Sequence, residues 1–239
     1  MRAVTPTAGA ANRLLVAELF GPTVQGEGPS TGHAALFIRL SRCNLSCSYC
    51  DTPYTWDWSR FDPAQEARRM TVADVIGWVL ARQIELVVVT GGEPLIQQSA
   101  LVPLVRALAG AERRVEIETN GTIVPAPELV DVVDRFNVSP KLTAAGGPVH
   151  ERIVPDALRT FASSGKAAFK FVITASGEFD EVQRLQQEYG LQPLWVMPEG
   201  TTENAVITGM RAIAEPAIAR GWNLSGRLHV LLWGDLRGR

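Results

Sequence analysis

Cys43, Cys47 and Cys50 are the only cysteines in the 239-residue chain. Their C-x3-C-x2-C spacing packs three thiolate donors into Cys-Asn-Leu-Ser-Cys-Ser-Tyr-Cys-Asp, which ends at Asp51. A tight turn over that span points the three sulfurs at one centre. A four-iron cubane held by three cysteines keeps one iron without a protein ligand, whereas ferredoxin-type carriers fill all four positions with cysteine. An open iron implies catalysis rather than electron storage. Three plainer readings compete. Structural zinc takes four ligands, and His33, His150 and His229 lie far off and lack H-x3-5-H pairing. Unligated cysteine behaves as a small buried hydrophobe, but polar Asn44, Ser46, Ser48 and Asp51 around these three fit an exposed loop better. An odd number of cysteines in one loop is not a disulfide framework.

Other chemistry-bearing residues fall at the ends of apolar runs. Thr90-Gly91-Gly92-Glu93-Pro94 follows Leu86 to Val89; glycine there lets backbone approach a ligand closely, Glu93 can accept from an ammonium group, and Pro94 suits a first helical position. Thr23-Val24-Gln25-Gly26-Glu27-Gly28 is a glycine-punctuated loop with side chains able to bond a polar heterocycle, or else an ordinary turn. Arg39 stands in the strand-like run Ala34 to Leu40, with Phe37 on its face and Leu36, Ile38 and Leu40 on the other. An unpaired buried cation is costly, so Arg39 takes either a protein carboxylate or a substrate carboxylate held bidentately. Thr52 to Trp58 is aromatic and polar without a period, a loop beside the cysteines.

The elements that must position these groups alternate. Leu14 to Phe20 is a short apolar segment broken by Gly21-Pro22. Strands are expected at Ala34–Leu40, Leu86–Val89, Val115–Thr119, Phe136–Ser139, Ala168–Ile173, Leu194–Met197 and Arg227–Leu232. Between them helices are expected from a Thr71 cap to Leu80, and over Pro94–Ala109, Pro127–Val133, Pro155–Ser163, Glu178–Tyr189 and Thr202–Ala219. Such alternation implies a parallel sheet with right-handed crossovers. Seven strand candidates make an incomplete TIM-like β/α barrel. Four runs end in polar or glycine motifs, at Thr90–Glu93, Glu118–Gly121, Ser139–Lys141 and Met197–Gly200. The carboxyl ends of parallel strands share one face, which is where an active site is expected.

Composition bounds the rest. The chain is 46% hydrophobic, a globular content that can bury a continuous core, and its net charge of -2 lacks the basic excess of a nucleic-acid binder. Met1 to Asn12 is rich in Ala, Thr, Pro and Gly without an apolar core, which places a flexible tail at 1–12 and a single domain at 13–239. No stretch approaches the roughly 18 apolar residues of a membrane span. Reduced cysteines without an export signal point to the cytoplasm.

C-x3-C-x2-C with an aromatic before the last cysteine, followed downstream by Gly-Gly-Glu-Pro, resembles the cluster loop and SAM motif of radical S-adenosylmethionine (SAM) enzymes. Beyond that, Val24–Gly28, Phe37–Leu40, Cys50-Asp51-Thr52, Thr90–Pro94, Glu118–Gly121, Ser139–Lys141, Arg227–His229 and Leu232–Gly234 are similar to the 7-carboxy-7-deazaguanine synthase family over nearly the whole chain after the tail. The resemblance implies a radical SAM partial barrel carrying a 4Fe-4S cluster on Cys43, Cys47 and Cys50. It implies that SAM chelates the open iron and is cleaved to a 5′-deoxyadenosyl radical, then regenerated as a true cofactor. It further implies Mg2+, a reducing partner such as flavodoxin or ferredoxin, a homodimer, and no nucleic-acid or membrane partner. Members are carbon–nitrogen lyases that convert 6-carboxy-5,6,7,8-tetrahydropterin to 7-carboxy-7-deazaguanine and ammonia in 7-deazapurine and queuosine biosynthesis.

Carried residue by residue, the resemblance gives Tyr49, Gly92, Glu93, Ser139 and Lys141 to SAM. It gives Val24, Gln25, Gly26, Glu27, Arg39, Thr90 and His229 to the substrate, and Thr52 to Mg2+, with no separate catalytic side chain. Plainer roles stand beside several of these: loop packing for Tyr49, a backbone-bonded hydroxyl for Thr52, a solvated charge for Lys141, a satisfied structural imidazole for His229. Two other functions remain in play. A glycyl-radical-enzyme activase shares the cysteine spacing, and a zinc-stabilised interaction module would need no catalysis.

Overall fold

Period-two alternation sorts the strand residues of this chain into an apolar outer set and an inner set that is apolar at Ala35, Phe37, Leu86 and Val88 and polar toward the strands' carboxyl ends. The computed structural model describes residues 12–239. Residues 1–11 of the expected tail lie outside the described residues, while Asn12 already joins the fold through its carbonyl, which accepts from the Val72 backbone N–H at 2.9 Å.

The strands are β1 (Arg13–Val24), β2 (Ala34–Leu40), β3 (Arg68–Thr71), β4 (Leu86–Gly91), β5 (Arg114–Thr119), β6 (Arg135–Val138), β7 (Ala167–Ile173), β8 (Leu194–Pro198) and β9 (Asn223–Leu224). They form one sheet in the order β3-β1-β2-β4-β5-β6-β7-β8-β9. From β2 to β9 every neighbouring pair is parallel, whereas β1 lies antiparallel to both β2 and β3. With β3 and β9 at opposite edges the sheet stays open, an incomplete β/α barrel.

The helices are α1 (Pro63–Glu66), α2 (Val72–Leu80), α3 (Gln98–Gly110), α4 (Pro127–Val132), α5 (Val149–Arg152), α6 (Pro155–Ser163), α7 (Glu178–Tyr189), α8 (Glu203–Ala219) and α9 (Leu228–Trp233). Among the described residues none is long and apolar enough to cross a membrane. Outward-facing Leu36, Ile38 and Leu40 of β2, Val87 and Val89 of β4, Val115 and Ile117 of β5, and Phe169 and Phe171 of β7 pack with Val75 and Val79 of α2, Leu101, Leu104 and Leu108 of α3 and Leu158 and Phe161 of α6 in one buried core. The inner set includes Arg39, Thr90, Glu116, Glu118, Asn137 and Lys170. Two antiparallel strands were thus added to the expected parallel set, and the inner face was left free for chemistry.

Several boundaries differ from the sequence expectation for identifiable reasons. Gly21-Pro22 does not end the first segment. β1 crosses it with a register shift between Phe20 and Thr23, a bulge that absorbs the missing proline donor. β3 has no apolar signature because Arg-Arg-Met-Thr is an edge strand, where charge is favoured. The helix expected from Pro94 starts at Gln98. Pro94–Gln97 forms a tighter 3-10 turn, and the Gln97 carboxamide bonds Leu15 N, Leu15 O and Ser41 O at 2.8–3.1 Å. The strand expected at Arg227–Leu232 is instead α9, preceded by the two-residue β9. A short apolar run does not distinguish the two states by period. Here Leu228 N donates to Gly26 O at 2.9 Å, which starts the helix against the loop after β1.

Helix α2 begins as its residues require. Thr71 Oγ1 accepts from Asp74 N at 3.1 Å while the Asp74 carboxylate accepts from Thr71 N at 3.2 Å, a reciprocal capping box. Replacing Thr71 with alanine should lower stability by about 1 kcal/mol, read as a lower urea midpoint with an unchanged denaturant slope. An unchanged midpoint would show that α2 is held by its buried face alone.

Candidate active site

The carboxyl edge of the sheet opens into a cavity of about 540 Å³, within the range of small-molecule sites. Its wall carries all three cysteines and, of the residues singled out from sequence, Val24, Gln25, Gly26, Glu27, Arg39, Tyr49, Thr52, Thr90, Gly92, Ser139, Lys141 and His229. Glu93 is the exception. It is fully buried beneath the wall, and its carboxylate already accepts from Leu95 N at 2.9 Å, Thr119 Oγ1 at 2.9 Å and Asn120 N at 2.7 Å. Burial raises its pKa although those hydrogen bonds oppose the shift. Glu93 thereby braces the ends of β4 and β5 from beneath the wall that the other residues expected at SAM line.

Backbone contacts position the cysteine loop. A Cβ on Gly92 would lie 2.2 Å from Arg42 O and 2.8 Å from Cys43 Cβ, so only glycine lets the β4 turn pass the loop. Glu93 N donates to Arg42 O at 2.8 Å, and Arg42 N donates to Thr55 O at 2.7 Å. These two bonds hold Arg42 at φ 80°, a left-handed conformation uncommon outside glycine. From the far side Asn120 Nδ2 donates to Asn44 Oδ1 at 3.0 Å, and Ser48 N donates to Ala145 O at 3.0 Å.

The sulfurs have donors of their own. Leu45 N lies 3.4 Å from Cys43 Sγ, and the Trp56 indole N–H points at Cys50 Sγ from 3.3 Å. Burial pushes the Cys43 thiol up to about 11 and raises Cys47 as well, with Lys141 opposing the shift at Cys47. A bound metal reverses that preference by taking the thiolate. Among the described residues no three His, Cys, Asp or Glu side chains converge on a single-ion site. A cubane requires no such convergence, because each thiolate meets a different iron.

The same cavity is lined by a buried ionic knot that reaches the cysteine loop through Asp51. The Glu27 carboxylate takes Lys170 Nζ on one oxygen and Arg227 Nε at 2.9 Å on the other. Arg227 also donates to Gly200 O at 2.8 Å and to Asp51 Oδ2 at 2.5 Å. Burial by itself would raise the Glu27 pKa, but the Lys170 and Arg227 charges outweigh it and hold the group well below the usual carboxylate range. The His229 ring packs on Gly26, where a Cβ would lie 1.9 Å from Nδ1. Burial depresses its pKa, with Arg227 and Lys170 adding to the shift and Glu27 opposing it, which favours the neutral imidazole at pH 7. His229 sits on α9 rather than on a strand. Gln25 donates to Glu118 Oε1 at 3.0 Å, and Lys141 donates to Ser139 Oγ at 3.0 Å. Arg39 has a protein partner, Glu18, at 2.9 Å from Nε. Thr52 keeps its carbonyl for Thr55 and its hydroxyl 3.8 Å from Cys50 Sγ.

The radical SAM superfamily profile matches residues 37–157. A 7-carboxy-7-deazaguanine synthase of Pyrobaculum aerophilum is 39% identical over 231 residues, spanning 95% of this chain and 98% of that protein. This chain belongs to the 7-carboxy-7-deazaguanine synthase family. A second member, from Rhodopirellula baltica, is 33% identical and spans 94% of this chain and 88% of its own. Among solved structures, QueE from Escherichia coli superposes with a TM-score of 0.68 at 27% identity, covering 89% of this chain and 93% of that one. SuiB from Streptococcus suis, solved bound to S-adenosylmethionine, shares the fold at a TM-score of 0.54 and 14% identity, covering 77% of this chain and 47% of that one. Family membership supersedes both the activase and the zinc-module readings.

This family member holds site residues that the sequence reading passed over. Lys170 had a visible signal, since a lone lysine between Phe169 and Phe171 poses the same question as Arg39. Arg227, Trp56 and Asn120 stand within stretches already noted, Arg227–His229, Thr52–Trp58 and Glu118–Gly121, but their individual partners lie across the fold or turn on side-chain direction within a loop. The Glu27 knot yields a prediction with a definite sign. Glu27→Gln leaves Lys170 buried without its carboxylate and Arg227 with Asp51 alone, and should cost roughly 3–5 kcal/mol at pH 7. Because the folded pKa lies below the unfolded one, the difference from wild type should persist above pH 4.5, the ordinary value, and shrink as acid protonates the carboxylate. Urea titrations across that range check it. A gap independent of pH would assign the loss to packing.

Proposed function

We propose that this protein is a radical SAM lyase that converts 6-carboxy-5,6,7,8-tetrahydropterin to 7-carboxy-7-deazaguanine, the product its relatives are named for, with loss of ammonia. The overall change is redox-neutral, so a regenerated SAM satisfies its balance. The observation that carries the reading is one cavity lined both by a three-thiolate loop and by an arginine with other charged, hydrogen-bonding side chains. The donor set fits a 4Fe-4S cluster: three cysteines on one loop, N–H groups aimed at two of the sulfurs, and no fourth cysteine in the chain. When bound, the cluster supplies the electron that cleaves SAM and so delivers a carbon radical to the substrate.

The chain's own residues bind, orient and exclude water. Cys43, Cys47 and Cys50 hold the cluster. Gly92 leaves open backbone for the SAM amino group, Ser139 and Lys141 form one polar side of the SAM site, and Tyr49 gives an aromatic edge whose hydroxyl stays protonated because burial raises its pKa. At the substrate end Arg39 faces the carboxylate, while Val24, Gln25 and Gly26 with Thr90 contact the heterocycle. Glu27 is held ionised by Lys170 and Arg227, and neutral His229 can hydrogen-bond a ring nitrogen. Thr52 Oγ1 is the protein ligand for Mg2+, an ion that commonly keeps waters and takes substrate oxygens for the remainder.

A low-potential flavodoxin or ferredoxin is the proposed reductant, and thiols that must remain reduced place the enzyme in the cytoplasm. The family's homodimer is extended to this chain, for which exposed Leu232 and Leu236 supply apolar surface.

Reconstituted protein with dithionite, SAM, Mg2+ and carboxytetrahydropterin should release 7-carboxy-7-deazaguanine and ammonia in equal amounts. A cluster-replete sample that forms neither rejects the reading. The Trp56 indole contact gives a separate outcome. A hydrogen bond to a ligating sulfur stabilises the more negative reduced cluster, so Trp56→Phe should lower its reduction equilibrium by about tenfold, ~59 mV for one electron. Potentiometry followed by electron paramagnetic resonance measures this; an unshifted midpoint would mean that the indole only packs the loop.

A further inference from the structure

After α9 the chain folds back across β1, and Arg237 enters a network that no role assigned so far uses. Its Nε donates to Glu18 Oε1 at 2.5 Å and its Nη2 pairs with Glu66 Oε2 at 2.9 Å. Its guanidinium carbon sits 3.9 Å from the centroid of the Tyr54 ring. The other oxygen of Glu18, Oε2, accepts from Arg39 Nε and from the Tyr54 hydroxyl, both at 2.9 Å. One largely buried carboxylate thus stands between two guanidinium groups, and only Arg39 of the pair lines the site cavity. Asp235 and Arg239, on either side of Arg237, line that cavity as well.

The geometry decides what Glu18 leaves available. A carboxylate with both oxygens free takes a guanidinium side-on, occupying two N–H groups at once. Here Oε1 is committed to Arg237 and Oε2 is shared with a phenol, so Glu18 meets Arg39 through Nε alone. The two terminal nitrogens of Arg39 remain a planar fork, the arrangement that matches a second carboxylate. Sharing also leaves Glu18 short of neutralising Arg39. Phe20 stacks on Phe37 at 4.8 Å between ring centroids, with the Arg39 guanidinium 5.3 Å from the Phe20 ring, which limits other rotamers.

We infer that Arg237 is a positioning residue that, by holding Glu18, keeps Arg39 free to select substrates bearing a carboxylate on a planar heterocycle. The inference rests on the function proposed above and adds a source of selectivity outside the cavity. Loss of Arg237 releases Glu18 to close side-on upon Arg39 and consume the fork.

Anaerobic equilibrium dialysis of the cluster-replete full chain, with SAM present, compares 6-carboxypterin with pterin lacking the carboxylate. Wild type should prefer the carboxylated ligand, and Arg39→Ala should abolish the preference. Arg237→Ala should reduce the preference roughly tenfold, in line with loss of one bidentate pair, while affinity for unsubstituted pterin stays near wild type. Arg237→Lys, which restores charge at Glu18, should recover part of it, and it also serves as the readout if the alanine variant does not fold. Equal weakening of both ligands by the Arg237 variants would indicate a merely structural role and overturn the inference. So would a preference that Arg39→Ala removes and both Arg237 variants keep. Wild type that binds neither pterin overturns the proposed function together with the inference.

Discussion

Backbone contact between Gly91-Gly92 and the segment Leu40 to Cys43 sets the position of everything else at the site. A side chain at Gly91 would begin 2.1 Å from Leu40 O, and one at Gly92 would begin 2.2 Å from Arg42 O. Gly91 adopts φ 143°, which L-residues rarely accept. The contact joins the ends of two adjacent parallel strands, spaced by the sheet at about 4.8 Å, so the first cysteine inherits its place from the sheet. Glu93 carries the same constraint to the end of β5 by accepting from Thr119 and Asn120, and Asn120 returns it to the cysteine loop through Asn44. A carboxylate that resembles a ligand group in sequence also ties together the ends of β4 and β5.

The concave face solves a different problem, since it must stay polar and yet be buried. Its most buried charges are paired: Glu27 with Lys170 and Arg227, Arg227 with Asp51, Arg39 with Glu18. Pairing of this kind adds little net stability over apolar packing, but breaking it is expensive. Its worth therefore lies in fixing charges and tautomers before a ligand arrives, which is what a positioning site requires. Glu27 remains ionised and His229 favours its neutral form because the surrounding groups were ordered during folding rather than on binding.

What could be read from the chain divides along the same line. The cysteine loop, the Gly-Gly-Glu-Pro turn, α2 with its Thr71 cap, α6 and α7 were all legible because each depends on residues close in sequence. Period two in Ala34–Leu40 correctly separated Arg39 from Leu36, Ile38 and Leu40. The last strand was misread because His-Val-Leu-Leu-Trp is too short for its period to decide, and its state is set by Gly26, some two hundred positions earlier. β3 carries charges because it is an edge, and edges conceal their pairing from composition. The bonds of Glu93 to Thr119 and Asn120 were not legible, because a motif identifies a residue but not where its carboxylate points. Lys170 was available by the same reasoning as Arg39, and only the strand's register shows that both face one cavity.

An open sheet explains why the substrate half depends on such distant partners. β9 is two residues long and pairs only with β8, so no strand ladder ties it back to β1. Segments that follow these two strands are joined instead by Leu228 N to Gly26 O and by Arg227 to Glu27. Further on, Arg237 reaches Glu18 within β1 itself. Side-chain ion pairs take over work that hydrogen-bonded strands perform in a closed barrel. Strand pairing is indifferent to side-chain identity, whereas an ion pair demands particular residues at particular places. The gap in the barrel therefore becomes the region where single substitutions can retune substrate recognition, whereas the place of the first cysteine is set by backbone contact at Gly91 and Gly92.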